Sequence, residues 1–103
     1  MTFNKGEFGS ILRVNLGVDL STATSLTICL LPRRGEEKEF ITNIAVGSAN
    51  TDVDDQTFLA DEFLEYTLQA DDLDQEGQWW ARGSAIVSGE KIIGDYVRIT
   101  VLR

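Results

Sequence analysis

The feature that most constrains this chain is a two-residue alternation of apolar and polar side chains, repeated in short segments. Leu12, Val14 and Leu16 share one parity, with Arg13 and Asn15 between them. Leu26, Ile28 and Leu30 alternate with Ser25 and Thr27. Trp79, Ala81, Gly83, Ala85 and Val87 line one parity of 78–87. Along 93–102, Val97, Ile99 and Val101 alternate with Tyr96, Arg98 and Thr100. Successive strand residues point to opposite faces, so these segments predict half-buried β-strands rather than helices. Turn-forming residues separate them: 17–22, Pro32 to Glu36, Asp71 to Gly77, and Gly89-Glu90 preceded by Ser88. Glu39 to Val46 reads as a third strand of ambiguous face, and Gly47 to Gln56 as an aspartate-rich loop or frayed edge. Six or seven short strands at this spacing predict an all-β fold, an immunoglobulin-like antiparallel β-sandwich. Its edges are expected at 33–39 and 47–56, where charge and glycine concentrate. At 103 residues the chain has room for one such domain, spanning 1–103.

One stretch carries two periods. Leu59, Phe63, Tyr66 and Ala70 fall at helical spacing behind Thr57, a possible cap, with Asp61 and Glu62 suited to a first turn. Leu64, Tyr66 and Leu68 instead alternate with Glu65, Thr67 and Gln69. The strand reading is favoured for Phe63 to Ala70. A short helical turn is allowed near 57–62 or within 71–76.

Charge and missing residue types narrow the function classes. Seventeen acidic against nine basic side chains give a net charge of −8. That disfavours nucleic acid and anionic membranes, both of which select clustered Lys and Arg. There is no histidine, which removes the commonest general base and zinc ligand. Met1 to Gly6 has no apolar stretch, so no secretory signal is expected, and no apolar run approaches membrane-spanning length. Cys29 stands alone in an apolar strand; a buried, inert thiol in a reducing cytoplasm is expected.

The acidic clusters suggest two chemistries, and neither fits. Asp72 to Gly77 matches the first half of a calcium loop, but Gly83 stands where the bidentate glutamate belongs. Asp52, Asp54 and Asp55 fail the same template at Thr57. Ten carboxylates between Asp52 and Glu76, with no Lys or Arg among them, read as a charged surface rather than an acid/base pair. No metal, cofactor or catalytic residue is therefore expected, and the chain is read as a non-enzyme.

Trp79-Trp80 is more informative. One indole must face inward, and the parity of Ala81 and Gly83 assigns that place to Trp79, with Leu26, Ile28, Val97 and Ile99 as further core. Trp80 then shares the outer face with Arg82. If the last strand lies beside 78–87, Tyr96 and Arg98 join them in one aromatic-basic patch, the expected interface. The acidic segment 52–76 lies elsewhere. It suits either head-to-tail assembly or simple solubility.

Two stretches together resemble a family. One is Gly9 through Pro32, with Val18-Asp19-Leu20-Ser21-Thr22-Ala23-Thr24 joining two strands. The other is Tyr66-Thr67-Leu68-Gln69-Ala70-Asp71-Asp72-Leu73-Asp74 followed by Gly77-Gln78-Trp79-Trp80-Ala81-Arg82. They are similar to the small immunoglobulin-like domain of tailed bacteriophages found at the N-terminus of upper baseplate proteins. The pattern is interrupted at Gly47 to Phe63 by an acidic insertion. In such folds Trp79 stands at the place of the corner tyrosine, and Ala81 where a disulfide cysteine would sit. The resemblance implies a phage or prophage virion structural protein of the tail, baseplate or head–tail region. It would be made in the bacterial cytoplasm and would act by binding other virion proteins and by self-association in a ring or array. The alternative is a carbohydrate-binding β-sandwich that stacks sugars on Trp80 and Tyr96.

Overall fold

The computed structural model describes all of residues 1–103, and none of them is helical. Eleven strands form: β1 Thr2–Asn4, β2 Ile11–Asn15, β3 Thr24–Leu31, β4 Lys38–Phe40, β5 Ile44–Val46, β6 Thr51–Val53, β7 Gln56–Phe58, β8 Phe63–Thr67, β9 Gly77–Val87, β10 Glu90–Ile93 and β11 Val97–Leu102. The main sheet runs β1-β11-β9-β3-β4, with β10 pairing the far half of β9. A second sheet, β2-β8-β5, faces it, and β6-β7 form a separate hairpin. The strands β11, β9, β3 and β4 take the places of the G, F, C and C′ strands of an immunoglobulin sandwich. Strands β2, β8 and β5 take those of B, E and D.

The core is the inward parity of both sheets. Leu12 and Val14 of β2 and Leu64 and Tyr66 of β8 meet Ile28, Leu30, Trp79, Ala81, Ala85, Ile99 and Val101 from the main sheet. Trp79, Ile28 and Ile99 are fully buried, while Leu26 and Val97 are half-buried against the cluster. Gly83 lies where the sheets close most tightly. A Cβ there would come within 2.8 Å of Val14 and 2.9 Å of Leu16.

Several expectations are corrected. Thr57 caps no helix: it lies in β7, and its hydroxyl donates to Asp52 at 2.7 Å. Residues 59–62 and 71–76 are turns without helical character. The segment 47–56 is loop only at 47–50; from Thr51 it is neither loop nor the edge of a larger sheet, since β6 and β7 pair with each other through a two-residue turn at Asp54-Asp55. Both of those residues have positive φ, 50° and 62°, the backbone that tight hairpins demand and that Asp tolerates. The expected strand 39–46 is two strands in different sheets. The chain crosses between them at 41–43, where Asn43 has φ 60°. The last strand is likewise interrupted at 94–96 into β10 and β11. The sandwich is not wholly antiparallel, because β1 pairs parallel to β11 and caps that edge. These divisions account for eleven strands where six or seven are expected. The free edge strand β4 overlaps the expected 33–39 region at Lys38 and Glu39, whereas the other expected edge, 47–56, belongs to the separate β6-β7 hairpin.

The two crossovers that carry the family-like motifs are tied locally. Asp19 accepts the backbone N–H of Ser21 at 2.9 Å in the β2–β3 turn. In the β8–β9 turn, Asp72 accepts from the Tyr66 hydroxyl at 2.5 Å and from the Gln69 N–H at 2.8 Å. The Trp79 indole N–H donates to the Gln75 carbonyl, four residues upstream, at 3.0 Å. This is the backward bond that a corner tyrosine makes in immunoglobulin domains.

Candidate protein-interaction site

The outer face of the main sheet is built by the other parity of β9. Trp79 is fully buried and Trp80 is 38% exposed, so the two indoles divide as alternation requires. Register then places the neighbours. Arg98 of β11 sits directly opposite Trp80 on one side, and Leu31 of β3 on the other. The Arg98 guanidinium lies 5.2 Å from the Trp80 ring centre. Arg82, one rung up, is opposite Cys29.

Tyr96 reaches the same face from the 94–96 connection rather than from a strand. Its ring stacks under the Arg82 guanidinium at 4.5 Å. The structure thus brings together all four expected residues, Trp80, Arg82, Tyr96 and Arg98.

Three further features belong to the face. Glu37, from the turn before β4, accepts the Tyr96 hydroxyl at 2.9 Å and pairs with Arg82 at 3.9 Å. Its carboxyl is held below the ordinary range by hydrogen bonds from Cys29 and Tyr96 and by the Arg82 charge. Cys29 is buried beneath these side chains on the outer parity of β3. Its burial, with the bond to Glu37 and the Glu37 and Glu39 charges, pushes the thiol up to about 11. The expected inert thiol is therefore explained, although its cover is polar and on the outside of the sheet. Thirdly, Ile86 and Ile93 share this outer parity, with Ile93 opposite Ser84, and are 36% and 52% exposed.

The result is a ridge of Trp80, Tyr96, Ile86 and Ile93 along β9, β10 and the start of β11. Half of the exposed large apolar side chains lie here, interleaved with Arg98, Arg82 and Lys91. Glu37 is not legible as a site residue from spacing, whereas Ile86 carries the same parity as Trp80 and Arg82 and is missing from the expected patch. Ile93 carries the same parity signal as Tyr96 only once the break at 94–96 is known. Two of the acidic side chains of the 72–77 turn are otherwise engaged. The Asp72 carboxylate is taken by Tyr66 and Gln69, and Asp74 pairs with Lys38 at 3.0 Å.

Comparison with family models, curated proteins and solved structures yields no match.

Proposed function

We propose that this chain is a non-enzymatic binding domain, a structural component of a tailed-phage or prophage particle, that docks onto another virion protein through the outer face of its main sheet. The observation that carries the binding role is the ridge Trp80, Tyr96, Ile86 and Ile93 with Arg82 and Arg98 set against its rings. Aromatic and arginine side chains set together on a sheet face are enriched in protein interfaces. Docking would take the exposed rings and the Ile86 and Ile93 side chains out of water. The virion assignment is supported by the family-like segments, which fall at two of the sheet-to-sheet crossovers, β2–β3 and β8–β9. Sugar stacking is less well served. A guanidinium occupies one side of each ring, and the Tyr96 hydroxyl is already bonded to Glu37.

The test is localisation. Particles released from the host strain are separated on a density gradient and probed with antibody to this chain. Co-migration with particles, lost on Trp80→Ala substitution in the phage genome, supports the reading. A chain found only in the soluble fraction overturns it.

A further inference from the structure

A second surface is distinct from that ridge. At the end of the sandwich where β1 and β3 finish, a groove of about 460 Å³ is lined by Lys5, Arg33, Arg34, Asp74, Gln75, Glu76 and Gly77. Lys5, Arg33 and Arg34 have no carboxylate within ion-pair distance, whereas Asp74 is held by Lys38. Three free cations therefore face one uncommitted carboxylate, Glu76, in a chain of net charge −8.

The opposite character occurs at the tip of the β6-β7 hairpin. Asp54 and Asp55 form its two-residue turn and are exposed, with Asp52 just behind them. No Lys or Arg occurs between Glu39 and Ala81 to neutralise them from nearby sequence. Asp54 meets the Met1 ammonium at 3.6 Å, at the beginning of β1. Lys5 lies beyond the other end of β1, roughly 13 Å away along an extended strand. The hairpin of one molecule therefore does not fill its own groove.

We propose that the groove receives the Asp54-Asp55 tip of a second copy of this chain. Donor and acceptor surfaces are different patches of one molecule, so the contact is head-to-tail and propagates into a ring or a filament. Opposite potentials steer the encounter and set its register. The inference concerns self-association and stands apart from the docking ridge. Trp80 is not part of it.

Sedimentation of the purified full chain tests it at about 20 mM and about 500 mM salt, where screening lengths differ severalfold. Oligomers at low salt that dissociate at high salt are expected. Arg33→Glu/Arg34→Glu and Asp54→Lys/Asp55→Lys should each abolish them, and an equimolar mixture of the two variants should restore assembly. Asp54→Asn/Asp55→Asn preserves the left-handed turn and should also abolish assembly, which separates loss of charge from misfolding. Trp80→Ala should assemble like the parent chain. A monomeric parent at low salt, or oligomers indifferent to both charge reversals, overturns the proposal.

Discussion

Tyr66 donates its hydroxyl hydrogen to the Asp72 carboxylate across the turn between β8 and β9, and both side chains are buried. Burial, then the Asp72 hydrogen bond and charge, hold the phenol well above its ordinary value of 10. In the unfolded chain it titrates near that ordinary value. A group raised on folding contributes stability that is fully present below its unfolded value and declines as pH climbs above it. Unfolding free energy is therefore expected to fall above about pH 10. Tyr66→Phe should flatten that decline and cost about 1–3 kcal/mol at neutral pH, because Asp72 loses a buried partner. Urea titrations at neutral and alkaline pH check both parts; an unchanged alkaline slope in the variant would refute the assignment.

Gly47 lies flat against Phe63, so close that an added Cβ would meet the ring well inside contact distance. The ring has no room to retreat, being fully buried with Phe58 behind it at 5.3 Å between centres. Gly47→Ala is expected to destabilise by about 3 kcal/mol through overpacking. Gly83→Ala meets only methyl groups at 2.8–3.0 Å and should cost less. The comparison of denaturation midpoints decides it, and equal losses would contradict the geometry.

The two adjacent tryptophans should separate cleanly. Trp79→Ala removes a fully buried indole and its bond to the Gln75 carbonyl, at about 3–5 kcal/mol. Trp80→Ala removes an exposed ring and one stacked arginine, at about 1 kcal/mol. Thermal melts of both variants suffice; a Trp80 variant as damaged as the Trp79 variant would invert the proposed faces.

Cys29 should react slowly with a thiol reagent in the folded chain at neutral pH, because so little of it is thiolate. Glu37→Gln removes a charge and weakens the cover, so labelling should accelerate severalfold without a matching loss of stability. Labelling kinetics under native conditions, with unfolded protein as the reference, measure this. No acceleration would mean that Glu37 does not guard the thiol.

What the sequence could reveal follows from the length of each segment. The long strand β9 carries five inward positions, enough alternation to assign Trp79 to the core and Trp80 to the surface. Arg82 shares the face of Trp80, and Arg98 follows once β11 is placed beside it, while Tyr96 reaches the face from the 94–96 connection. Strands of three residues, such as β1, β4 and β6, hold barely one period, so their side chains bear no usable pattern. The parallel pairing of β1 with β11 joins the two ends of the chain, and nothing local announces it. Glu37 reaches the face from a turn, where periodicity has no meaning.

The chain alone thus determined the β class, the parity of its long strands and the turns between them, because these depend on neighbours two residues apart. Only the tertiary structure decided which strands adjoin, where the sheets exchange strands, and that Ile93 and Glu37 complete the ridge. Those relations rest on register between segments far apart in sequence, and register is set by packing the two sheets together rather than by any one segment.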